Sequence, residues 1–73
     1  MKKGRLELTP REIEVVRLIW AELTANEIAE ELRISPRTVE AHRWNIAQKV
    51  GAKTSVGIVK YALKAGIIKL PNS

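Results

Sequence analysis

At 73 residues the chain has room for one small domain, and its 45% hydrophobic and 29% charged residues are the mix of a folded protein. The absence of cysteine excludes disulfides and thiolate metal sites, while one histidine and no aspartate leave little for hydrolytic or metal chemistry, so neither an enzyme nor a cofactor is expected. The net charge of +5 is uneven: residues 1–32 carry five basic and seven acidic side chains, residues 33–73 eight and one, which turns the second half toward nucleic acid or, less readily, an anionic membrane surface.

Thr9-Pro10-Arg11-Glu12 sets a hydroxyl at a helix N-cap, a proline at the first helical position and a glutamate three residues after the cap, which is a capping box. Ile13, Val16, Ile19 with Trp20, and Leu23 then recur every three or four residues, predicting a helix over about 10–22. Thr24-Ala25-Asn26-Glu27 repeats the box and opens a short helix over about 25–32, with Ile28, Ala29 and Leu32 inward. Ser35-Pro36 starts a third over about 36–50, stopped by Gly51. Thr54 caps a fourth over about 55–65, with Gly66 supplying its left-handed C-terminal position. No segment alternates apolar and polar residues as a strand would. The first five residues and Pro71-Asn72-Ser73 read as frayed ends. The expected class is an all-α, four-helix domain spanning 1–73, with its core in 6–68.

Only Arg33, Ile34 and Ser35 separate the second and third helices, so the chain must turn sharply there. Ala29 is small enough for close approach, Ile34 plugs the turn and Val39 comes one turn into the third helix. That spacing, over residues 25–44, is the spacing of a helix-turn-helix, whose second helix enters the major groove of DNA.

On a helical wheel of residues 36–50, Ile46 and Val50 fall within about 20° of Val39 and form the inward stripe. Arg37, Ala41, Trp44 and Gln48 lie opposite, flanked by Glu40 and Asn45. A solvated face has no reason for tryptophan, so this face reads as one covered at work, as a major-groove reader is. The alternative is that Trp44 folds against a neighbouring element. His42 and Arg43 sit on the shoulders of the inward stripe, and Lys49 and Lys53 at its far end are placed to clamp a phosphate.

The fourth helix has two apolar sides. Val56, Val59 and Leu63 are expected to pack on the core, which leaves Ile58, Tyr61, Ala62 and Ala65 as a self-association surface. The competing reading is that Ile67-Ile68-Lys69-Leu70 folds back and covers that second side.

The run LTPREIEVVRLIWAELTANEIAEELRISPRTVEAHRWNIAQKVGA, extended through VKYALKAGII, resembles the LuxR-type helix-turn-helix effector domain over about residues 6–68. The matching pieces are Leu8-Thr9 with Arg11-Glu12, Glu27-Ile28-Ala29, Ser35 followed by Thr38-Val39, His42, Asn45-Ile46, and Lys49 with Gly51. The resemblance implies a four-helix domain that binds DNA as a dimer, usually as the C-terminal output of a response regulator or quorum-sensing receptor. It puts base reading on Glu40, Ala41 and Trp44 and dimer contacts on the last helix. Four positions depart from the family pattern. Glu22 and Arg33 stand where members often have glycine, Gly57 where glutamate commonly completes the last cap, and acidic Glu40 where many relatives are basic.

Together these features predict a sequence-specific, double-stranded-DNA-binding domain of a bacterial transcription regulator, freestanding or excised. No transmembrane run or signal-peptide pattern is found, so it is expected in the cytoplasm at the nucleoid. Arg37, Glu40, Ala41, Trp44 and Gln48 are the expected base readers, and Thr24, Thr38, His42, Arg43, Asn45, Lys49 and Lys53 the phosphate or boundary contacts, with Arg37 able to serve there too. The expected partners are DNA, a second copy of the chain and RNA polymerase, with no membrane, metal or small-molecule ligand. Two rivals are a sigma-type promoter-binding helix-turn-helix and a helical protein–protein module anchored by Trp44 and Tyr61.

Overall fold

The computed structural model describes residues 7–70, so both expected frayed ends, and residue 6 at the start of the expected core, lie outside the described residues. Four helices follow one another: α1 (Pro10–Trp20), α2 (Ala25–Leu32), α3 (Pro36–Val50) and α4 (Ser55–Ala65). Among the described residues there is no strand. The only boundary that moves by more than a residue is the end of α1, which stops at Trp20.

Each start is fixed by the cap its sequence announces. The Glu12 amide donates to Thr9 Oγ1 (3.1 Å) and the Thr9 amide to Glu12 Oε1 (2.8 Å). Thr24 and Glu27 make the same reciprocal pair at 3.2 and 2.7 Å. In α3 the Thr38 amide donates to Ser35 Oγ. In α4 the Gly57 amide donates to Thr54 Oγ1 at 3.3 Å, and with no acid in the first turn that box is half made.

The ends use left-handed backbone. Gly51 and Gly66 adopt it without penalty, but so do Glu22 (φ 67°) and Arg33 (φ 59°). These are the two positions where the sequence departs from glycine, and the turns keep their geometry at a cost of about 1 kcal/mol each. At Arg33 the turn is closed by its amide donating to Glu30 O (3.3 Å) and by the Ile34 amide donating to Ala29 O (3.0 Å).

Two apolar clusters hold the helices. Ile28, Ala29 and Val39 join α2 to α3, with Ile34, Leu23 and Leu18 packed around them. Val15, Val16, Ile46, Ile58, Ala62 and Ile68 join α1, α3, α4 and the segment after α4. Val15 is fully buried and Ile13 only half-buried, so the inward line of α1 runs through Glu12, Val15 and Val16 rather than through Ile13.

The fourth helix corrects the expectation. Ile58 and Ala62 are core residues, 3% and 0% exposed, so neither can form an intermolecular surface in the folded chain. Of the side expected to pack on the core, Val59 and Leu63 do so while Val56 is 68% exposed, and of the expected association surface Tyr61 and Ala65 remain exposed. The fold-back reading supplies the reason: after Gly66 the Ile67 amide donates to Ala62 O (2.9 Å), and Ile68 is buried against the Ile58–Ala62 side. Leu70 stays exposed. Both apolar sides of α4 therefore contribute to the core, and the returning segment adds Ile68 beside Ile58 and Ala62.

Candidate DNA-binding surface

Val39 and Ile46 are fully buried, which pins the rotation of α3 about its axis. Arg37, Glu40, Ala41, Trp44, Asn45 and Gln48 are consequently all exposed, on the side away from the core. Trp44 is 64% exposed, so the indole has not folded against a neighbour. The stripe from Arg37 to Gln48 covers 12 residues, so its ends are about 16 Å apart along the helix at 1.5 Å per residue step.

The residues expected at its edges divide into three groups. Lys53 is exposed in the loop between α3 and α4, and His42 is half-buried on the shoulder of α3. Thr24 and Thr38 are exposed, but their hydroxyls already serve the caps: Thr24 Oγ1 accepts from the Glu27 amide, and Thr38 Oγ1 lies 2.9 Å from Ser35 Oγ. The Glu27 carboxylate also occupies the N-terminus of α2, which weakens the appeal of that terminus for an anion. No acid sits in the first turn of α3.

Lys49 and Arg43 are engaged within the domain. Lys49 Nζ donates to Glu12 Oε1 at 2.8 Å and to the Glu7 carbonyl at 3.4 Å, so its ammonium is tied to α1 rather than offered to a phosphate. The phosphate contact expected of Lys49 competes with this internal pair. Burial pushes the Glu12 carboxyl up, but the Lys49 hydrogen bond and charge, with the Thr9 contacts, outweigh that and hold it below its ordinary value. Arg43 Nη2 donates to Ser55 Oγ at 2.6 Å, and its Nε lies 3.8 Å from Glu40 Oε1. Sequence reasoning gave Ser55 no role, since nothing local links it to a residue twelve positions earlier.

Beside the stripe runs a groove lined by Glu40, Arg43, Trp44, Lys53, Thr54 and Ser55, with Ala47 and Ile58 below. On the other side of Ser55 a shallow apolar depression is lined by Ile19, Trp20, Val56 and Val59, rimmed by Glu22 and Lys60. Among the described residues no group of three or more His, Asp or Glu side chains can hold a metal ion, and no helix is long and apolar enough to cross a membrane.

A capped short helix, a three-residue turn and a following helix with one face free define a helix-turn-helix domain. The chain belongs to the luxR family of bacterial regulatory proteins, whose pattern matches residues 6–62. It is 43% identical over 68 residues to the transcriptional regulatory protein MctR of Rhizobium johnstonii, covering 93% of this chain and 32% of that protein. It is 42% identical over 62 residues to the oxygen regulatory protein NreC of Staphylococcus aureus, covering 85% and 29%. In the crystal structure of response regulator ChrA from a heme-sensing two-component system, a region 30% identical superposes with a TM-score of 0.84, over 90% of this chain and 33% of that one. The chain therefore spans about a third of the length of the curated relatives it matches. It is the DNA-binding domain of a LuxR-type transcription regulator, in a family of regulators and not of enzymes.

Proposed function

We propose that the outward face of α3 reads base edges in the major groove of double-stranded DNA, and that two copies do so together, joined beside α4. The observation that carries the reading is the exposed Arg37-to-Gln48 stripe with Trp44 at 64% exposure: an indole left in water on a helix pinned by Val39 and Ile46. A carboxylate at Glu40 accepts from the cytosine amino group, and the Trp44 ring covers a thymine methyl. Arg37 and Lys53 are exposed cations flanking that face and supply phosphate contacts.

A lone helix-turn-helix reads only a few base pairs, and two copies related by a twofold axis read two half-sites about one helical turn apart. The face supporting that pairing is the depression of Ile19, Trp20, Val56 and Val59. A twofold contact sets the same patch against itself, and its rim carries one charge of each sign, Glu22 and Lys60. A protein acting this way is expected at the nucleoid.

The test is a pair of variants. Glu40→Ala and Trp44→Ala should each leave the melting temperature close to wild type while lowering affinity for the preferred site by about 1–3 kcal/mol, with the loss confined to one base position. A Trp44→Ala protein that melts far lower yet binds its site normally would contradict the reading.

A further inference from the structure

We infer that Arg43 is a positioning residue for base recognition: anchored by Ser55 at the start of α4, it holds the Glu40 carboxylate in place on the reading face. The inference rests on the DNA-reading role of α3 proposed above and assigns to it a determinant outside the base-reading residues. The guanidinium of Arg43 reaches two elements at once, donating from Nη2 to Ser55 Oγ at 2.6 Å while Nε sits 3.8 Å from Glu40 Oε1. Because the guanidinium is planar and its donors are fixed as a fork, pinning one end orients the other. The Arg43 side chain is 32% exposed and that of Glu40 is 60% exposed, so Arg43 is the anchored member and Glu40 the one free to be aimed.

An unaided glutamate on an exposed helix face moves among its rotamers, and an acceptor that moves discriminates poorly. Held, a carboxylate selects in two directions: it accepts from an amino group such as that of cytosine, and it repels the carbonyl acceptors of guanine and thymine. The contact made to Oε1 leaves Oε2 for a base. The anchor is also the residue just before Val56, so the aim of Glu40 is tied to the seating of α4 against α3.

The test uses Ser55→Ala, because Ser55 is on α4 and outside the reading stripe. Binding of the 73-residue chain is measured to duplexes that differ from the selected site at one base pair at a time, for wild type, Glu40→Ala, Ser55→Ala and the double variant. The expected result is that Glu40→Ala flattens the preference at one position. Ser55→Ala should weaken that same preference roughly threefold to tenfold, the worth of one net hydrogen bond, and leave affinity for random duplex unchanged. The double variant should match Glu40→Ala alone, since the serine acts only through that carboxylate. Arg43→Lys, which keeps the charge but lacks the fork, should lower the same preference. If Glu40→Ala flattens the position while Ser55→Ala and Arg43→Lys keep it, the positioning role is overturned and base reading by Glu40 stands. If Ser55→Ala weakens all sequences equally, the contact is structural only and the inference again falls. If Glu40→Ala changes no preference, Glu40 does not read a base and both fall together.

Discussion

Lys49 Nζ lies 2.8 Å from Glu12 Oε1, joining the last turn of α3 to the first turn of α1 across 37 residues of sequence. Glu12 is 5% exposed and also accepts the Thr9 amide, so one carboxylate completes the α1 cap and ties down the far end of α3. The pair is a structural fastening for the helix that presents the exposed Arg37-to-Gln48 stripe.

Lys49→Ala should therefore act on stability before it acts on DNA. Removing the ammonium leaves a buried carboxylate short of its main partner, a loss of about 1–3 kcal/mol. The midpoint of urea unfolding should fall with little change in slope. At a temperature where the variant is still folded, the salt dependence of DNA binding should match wild type, because the ammonium is committed to Glu12. A drop of about one unit in that slope with normal stability would return Lys49 to the DNA contacts.

The same carboxylate gives a pH signature. Its value in the folded chain is below the ordinary 4.5, so its contribution to stability is complete above that pH and is lost as pH falls below 4.5 through the folded value. Unfolding free energies of wild type and Glu12→Gln, measured from pH 7 to pH 2, should differ most at neutral pH and converge in acid. A gap that stays constant below pH 4.5 would show that Glu12 is not held ionised by the fold.

Burial separates two variants of α4 that periodicity treats alike. Ala62→Glu sets a charge in a site that is 0% exposed between Val15, Ile46 and Ile58, and should unfold the chain or lower its stability by more than about 3 kcal/mol. Val56→Lys lies on the surface and should leave the melt unchanged. It should remove cooperative binding to a two-half-site duplex while single half-site binding persists, because like charges then meet across the twofold axis. Cooperative binding equal to wild type would exclude the Val56 face as the contact.

Gly57 stands against Ala52. A Cβ built at position 57 would lie 2.9 Å from Ala52 Cβ, a distance at which α4 must shift. Gly57→Ala should therefore forfeit the gain of about 1 kcal/mol that a helix interior normally draws from replacing glycine. In an Ala52→Gly background the same substitution should recover it. Thermal melts of the four proteins in the cycle measure the coupling, and additive effects would show that the two positions do not press on each other.

The helices were legible because each carries its own start signal. Thr9, Thr24, Ser35 and Thr54 all proved to be caps, and the hydrogen bonds that make them so are local in sequence. The outward face of α3 was legible for the same kind of reason: Val39, Ile46 and Val50 form the one apolar stripe on that helix. What escaped the sequence depends on long-range contact. Ile58 and Ala62 face inward against Val15 and Val16 of α1, Ile46 of α3 and the returning Ile68, and the ammonium of Lys49 is held by a carboxylate buried on another helix. A buried glutamate in a capping box looks no different in sequence from the exposed one at Glu27.

Selecting bound duplexes from a random pool with the 73-residue chain shows whether the α3 stripe reads double-stranded DNA in a twofold assembly. The selection should enrich a pair of inverted half-sites about one helical turn apart, and a parallel selection with Trp44→Ala should lose preference at one position in each half-site. Enrichment of no motif, or the same motif for wild type and Trp44→Ala, would contradict that reading.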